Sequence, residues 1–114
     1  MIYAAKQPWR TGRRKGIFKG RGVEAAVIQL VPSADSVAAN ISEGFGRYFF
    51  RDKMRFYFFA RGSLFESQTW IEKSFKRKYI DEKTYKELLI QIKNIGIKLN
   101  NTIDQVKQRS DVRS

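Results

Sequence analysis

The chain contains neither cysteine nor histidine. The first absence excludes disulfides, thiolate nucleophiles and zinc–thiolate sites; the second removes the commonest metal ligand and the one side chain that ordinarily titrates near neutrality. No metal and no cofactor is therefore expected. Acids are scarce beside bases, 11 against 23, which leaves a net charge of +12. Nowhere does the chain approach the roughly 18 uninterrupted apolar residues of a membrane span, and the opening MIYAAKQPWRTGRRKG has positive charge without a signal-peptide core. Neither export nor a membrane partner is expected, and a cytoplasmic location is the default.

What is present points to one packed domain. The 114 residues are 42% hydrophobic and include nine Phe, which argues against general disorder. The positive excess suits a polyanion: RNA, DNA or an acidic protein face. It is unevenly spread, because seven bases and no acid precede Glu24, among Gly12, Gly16, Gly20 and Gly22. Residues 1–22 read as a basic arm, either a plain tail or a tracker of phosphates through Arg13, Arg14, Lys15 and Lys19, with Trp9 or Phe18 stacking on a base. Residues 23–109 then form a helical domain, and residues 110–114 a C-terminal tail.

From Val23 onward the apolar period is helical. Val23, Val27, Leu30, Ala34, Val37, Ala38 and Ile41 lie on one stripe, interrupted by Pro32, which must kink the helix or restart it with Val31 as the cap. The stretch from Arg51 to Lys78 is too long for a strand and contains only Gly62 as a breaker, so a second long helix is expected. Its stripe of Phe56, Ala60, Ser63, Ser67, Trp70 and Ser74, flanked by Tyr57, Leu64 and Ile71 one position on, alternates bulky with small residues. On this reading Ala60, Gly62, Ser63 and Ser67 admit a close neighbour while Phe56 and Trp70 fill the space above and below. A third helix is capped by Asp81 and carries Tyr85, Leu88, Ile92, Ile95, Leu99, Thr102 and Val106, with Leu89, Ile97 and Ile103 broadening the stripe. Short connections between long helices favour antiparallel neighbours, giving an all-α up-down bundle.

Few motifs carry chemistry. Asn40-Ile41-Ser42 and Asn100-Asn101-Thr102 satisfy the glycosylation rule but lie within helical stripes, so modification is not expected. Gly44-Phe45-Gly46-Arg47 is half of a phosphate loop with no strand before it. A left-handed cap at Gly44 and a tight reversal at Gly46 explain it better. Glu43, Glu66 and Glu72 are the candidates for acid–base or metal chemistry, yet no histidine accompanies them, and no serine has a histidine partner. An enzyme is the minority reading.

Assembled in order, S-A-D-S-V-A-A-N-I-S-E-G-F-G-R, then F-Y-F-F-A-R-G-S-L-F-E from Phe56 to Glu66, then K-Y-I-D-E-K-T-Y, resemble the bacterial four-helix-bundle proteins encoded in intervening sequences of large-subunit ribosomal RNA genes. That family's pattern is S-I-x-x-N-I-A-E-G-x-G-R followed by F-x-x-x-A-x-G-S-x-x-E, and the likeness runs from about Gln29 to about Val106. It implies a left-handed up-down bundle, assembly into a homo-oligomer, commonly a ring of five, and no established catalysis. It also implies kinship in fold with the basic ring-forming accessory proteins of diversity-generating retroelements, which bind nucleic acid and a reverse transcriptase. The pattern positions here are Asn40, Glu43, Gly44, Gly46, Arg47, Ala60, Arg61, Gly62, Ser63 and Glu66.

Two roles are open for the cations among them. Glu43 with Arg47 or Arg61, helped by Asn40, could clamp the turn between helices; or Arg47, Arg51, Lys53, Arg55 and Arg61 could form a band for phosphates. Residues 1–22 depart from the resemblance, since family members open with a long amphipathic helix. A missing first helix, a replacement arm and a shifted reading frame upstream of about Ser33 each account for this, and loss of that helix would expose an apolar groove. The functions expected are an oligomeric nucleic-acid-binding bundle or, alternatively, a scaffold for a partner protein such as a reverse transcriptase.

Overall fold

A computed structural model describes residues 18–113, which form three helices: α1 (Val23–Gly46), α2 (Phe50–Lys76) and α3 (Glu82–Arg113). No strand occurs among the described residues. The connections of 47–49 and 77–81 are too short for crossovers, so successive helices run antiparallel. α2 packs along much of α1 and less extensively on α3, while α1 and α3 barely meet. The result is an open three-helix layer with principal extents of 55 × 27 × 18 Å. Among the described residues the fold is therefore all-α and up-down with three helices.

α1 passes Pro32 without restarting, so Val31 is not a cap; it is a buried residue of the same helix. Pro32 itself is exposed. It cannot donate to the Ile28 carbonyl, and one position on, the Ser33 hydroxyl donates to the Gln29 carbonyl at 2.9 Å, local backbone bonding of the kind that accompanies bends.

The buried face of α2 is Met54, Tyr57, Ala60, Leu64, Ser67, Ile71 and Ser74. The small residues of the expected stripe are in place, but its bulky members are rotated by one position. Tyr57, Leu64 and Ile71 fill the core, whereas Phe56 and Trp70 sit at its edges, half-buried. The buried hydroxyls are spent on the helix itself, Ser67 Oγ donating to the Ser63 carbonyl at 2.9 Å and Ser74 Oγ to the Trp70 carbonyl at 2.7 Å. Gly62 does not serve close packing among the described residues, since a Cβ there would meet none of them within 4 Å.

Two apolar clusters hold the layer. Met54, Tyr57, Ala60, Leu99 and Ile103 form one at the α1–α2 corner, with Ile41 and Val106 against it. Leu30, Ile71 and Ile80 form the other, with Phe18, Trp70, Tyr85 and Leu88 packed around it and the Phe75 and Tyr85 rings stacked at 4.2 Å. Each fully buried aliphatic side chain contributes about 1.5–3 kcal/mol. Ile97, expected to broaden the α3 stripe, is exposed. Between α1 and α3, above Leu64 and Ile71, an apolar groove of about 420 Å³ lies open, lined by Leu30, Val37, Leu88 and Ile92 among others.

The α2–α3 connection is a Schellman-type stop with lysine in the glycine position. Lys78 has φ 62°, its N–H donates to the Phe75 carbonyl at 2.9 Å, and the Tyr79 N–H donates to the Ser74 carbonyl at 2.8 Å. Asp81 then caps α3 as expected, accepting from the Thr84 N–H at 2.7 Å. Residues 18–22 are fastened to this connection. The Lys19 N–H donates to the Tyr79 carbonyl at 2.9 Å, and Gly20 and Gly22, at φ 120° and 85°, wrap the Tyr79 ring. Phe18 is packed, half-buried, on the Leu30 cluster. Trp9, Arg13, Arg14 and Lys15 lie outside the described residues.

Candidate nucleic-acid interface

The corner between α1 and α2 gathers most of the pattern residues. Its reversal is not made by left-handed glycines. Gly44 and Gly46 are both helical, and the chain turns where Arg47 and Phe49 become extended, at φ −83°, ψ 146° and φ −84°, ψ 142°. Gly44 is required for space instead, because a Cβ there would lie 2.6 Å from Tyr57 Cε1 and 2.9 Å from Cδ1. This close approach lets the end of α1 sit on the Tyr57 ring, where burial raises the phenol's pKa and the nearby Arg109 charge opposes the rise. Arg109 thereby brings the C-terminal part of α3 to the same end of the molecule.

Farther along the α1–α2 contact lies a small polar node. Asn40 Nδ2 donates to the Ser36 carbonyl at 2.8 Å and to Ser36 Oγ at 3.0 Å, and Ser63 Oγ donates to Ser36 Oγ at 2.9 Å. Asn40 and Ser63 thus meet through Ser36, whose part the motif alone did not reveal. Ala60, fully buried one turn nearer the corner, permits the approach.

Glu43 and Arg47 pair at 3.1 Å, an exposed contact within the end of α1 in which Asn40 takes no part. Arg61 lies elsewhere, with its guanidinium 5.0 Å from the Phe58 ring centre and its buried Nε without a hydrogen-bond partner. Arg47 also covers the Phe56 ring at 4.7 Å, and Arg55 covers the same ring at 5.1 Å with Asp52 at 3.9 Å. An exposed i,i+4 ion pair is worth only about 0.3–0.5 kcal/mol and an exposed cation–π contact about 0.5–1 kcal/mol. Neither holds a guanidinium firmly against a phosphate that would offer a charge-assisted fork. Lys53 has a different duty: its ammonium donates to the Gly44 and Phe45 carbonyls at 3.2 and 3.0 Å, closing the negative end of α1.

Glu43 and Glu66 do not converge. Glu66 is exposed nine residues beyond the Tyr57 level at which α1 ends, roughly 13 Å along the α2 axis. Glu72 accepts from Gln68 Nε2 at 2.9 Å. Among the described residues no cluster of three or more metal-ligating side chains occurs, and no helix is long and apolar enough to cross a membrane.

The feature sequence reading missed is aromatic. Phe45, Tyr48 and Phe49 are 80%, 84% and 66% exposed, and Phe50 lies beside them. The signal was available in the string FGRYFF, since a three-residue connection cannot fold that many rings inward.

The model of a family described as 23S rRNA-intervening sequence protein matches residues 21–101. Among individually curated proteins, none matches the chain.

Proposed function

The chain belongs to the 23S rRNA-intervening sequence protein family, and from that premise we propose that it is a non-enzymatic, self-assembling helical bundle that binds nucleic acid through its basic surface. The observation that carries this reading is an unbalanced folded surface. Residues 18–113 hold eighteen bases against eleven acids, and the close ion pairs found among the described side chains, Arg47–Glu43, Arg55–Asp52 and Lys86–Glu82, all lie on exposed groups. Unneutralised cations on a rigid body release counterions when they meet phosphates, and the affinity gained falls steeply with salt. Binding of labelled RNA and DNA across a salt series tests this. The expected result is tight association at low salt that weakens log-linearly; absence of binding at low salt would sink the reading.

A second reading rests on the apolar groove between α1 and α3. An uncovered hydrophobic slot beside Leu30, Leu88 and Ile92 suits a scaffold that receives a helix of a partner protein. A partner complex that survives nuclease treatment would favour it over the nucleic-acid reading.

A further inference from the structure

The two ends of the molecule are both basic, but they treat their aromatic residues in opposite ways. At the α2–α3 end the rings are consumed by packing: Phe75 stacks on Tyr85, Tyr79 is wrapped by Gly20 and Gly22, and Trp70 carries the Lys73 ammonium at 4.5 Å. At the α1–α2 corner the rings of Phe45, Tyr48 and Phe49 stand in solvent, and the Lys53 ammonium lies a loose 5.9 Å from the Phe45 ring centre. Tyr48 and Phe49 meet edge to face at 5.1 Å, so they brace one another while leaving ring faces open. Burying such rings would be favourable, and none of the described residues does so.

Charge at the corner selects the partner. Glu43 and Asp52 are each matched by an arginine, and the Lys53 ammonium covers the carbonyl end of α1. The local negative groups are therefore screened, and Arg51 is left exposed among the rings, with Arg109 at the same end. Planar rings and guanidinium groups alternate along Phe45, Arg47, Tyr48, Phe49 and Arg51. No aliphatic side chain lies between Ser42 and Lys53, so the apolar surface of the corner is made of flat rings alone, the shape that stacks on bases. Exposed ring faces cannot reach bases inside a stacked duplex, whereas single strands offer theirs.

We propose that the α1–α2 corner is a single-stranded nucleic-acid platform, on which Phe45, Tyr48 and Phe49 stack with bases while Arg47, Arg51 and Arg55 take the flanking phosphates. This rests on the nucleic-acid reading above and adds to it the class of strand and the place of contact.

The test measures fluorescence anisotropy of a labelled single-stranded oligouridylate and of an RNA duplex of equal length, using the full chain and its Phe45→Ala/Tyr48→Ala/Phe49→Ala variant. The native chain should prefer the single strand, and the variant should lose at least about tenfold in single-strand affinity while duplex affinity changes less than about twofold. Arg51→Gln should instead weaken both ligands and lower the salt slope by about one. Helical circular dichroism must be retained; Tyr48→Ala alone, at the most exposed ring, supplies the same comparison if the triple variant unfolds. Unchanged single-strand binding by the variant overturns the platform, and persisting salt-steep binding would then leave the basic-surface reading intact. If the native chain binds neither ligand at low salt, both readings fail. Loss of binding to phosphatidylserine vesicles with oligouridylate binding unaffected, or loss of a larger species in light scattering with the same result, assigns the rings to a membrane or to a second copy and also overturns the platform.

Discussion

At the scale of single residues, Gly44 and Gly62 show how one residue type serves unlike ends. Both lie inside helices, where replacing glycine by alanine gains about 1 kcal/mol of helix propensity. At Gly44 the new methyl would press on the Tyr57 ring, which is 2% exposed and fixed by Met54, Leu99 and Ile103, so it cannot swing aside. Overpacking of this kind costs about 1–3 kcal/mol. Gly44→Ala is expected to lower the unfolding free energy by about 1–2 kcal/mol, and Gly62→Ala to raise it by up to about 1 kcal/mol, both read from urea unfolding at matched concentration. A Gly62→Ala chain that melts normally but assembles less would show that the neighbour admitted there is another copy. Sequence spacing identified both positions as special. It could not tell a crowded glycine from an open one, because that depends on which ring of the adjacent helix arrives.

At the scale of elements, the three helices were legible from periodicity and from Asp81, while the facing of α2 was not. Bulky residues occupy consecutive positions at Phe56-Tyr57 and at Phe58-Phe59, so hydrophobicity alone gives two adjacent stripes of nearly equal merit. The choice is made by α1, whose Gly44 and Ser36 receive Tyr57 and Ser63. The Asp81 cap yields a prediction for pH. Its carboxylate accepts from the Thr84 backbone N–H first and from the Thr84 side chain second, and these bonds lower its pKa below the ordinary aspartate value. A depressed native pKa means that the cap's stabilisation is complete above the unfolded carboxyl's range and disappears as pH falls through the native value. Asp81→Asn keeps an acceptor without the titration. The melting temperature of the native chain should exceed that of Asp81→Asn most near neutrality, and the difference should shrink as pH falls below the ordinary aspartate range. A constant difference across that fall in pH would mean that the charge contributes nothing to the cap.

At the scale of the whole molecule, α1 and α3 flank α2 without closing on one another, and the 18 Å thickness is that of an unclosed layer. Ile92 is half-buried and Ile95 exposed along the open groove. A second copy covering this slot would remove that apolar surface from water at about 25 cal/mol per Å². Light scattering at several concentrations is therefore expected to find an assembly, a pentamer on the family likeness, and Ile95→Glu to shift it toward smaller species without loss of helix content. A native chain that stays monomeric throughout would overturn the oligomeric reading. The aromatic corner was the least legible feature at this scale. Composition counts rings without regard to place, and only the shortness of the 47–49 connection forces these outward.

The fastening of residues 18–22 onto Tyr79 bears on the order in which the molecule folds. α1 with α2, and α2 with α3, are neighbours joined by short turns, so they can zip locally with little loop to close. The Lys19 amide, by contrast, reaches a carbonyl sixty positions away, and that ring of chain can be shut only after the α1–α2 turn exists. The Lys19 contact is thus a latch set after that turn. Its opening would free residues 18–22 and expose the Tyr79 ring while every helix stayed wound, so the Lys19 amide is expected to exchange with solvent faster than the amides inside the helices.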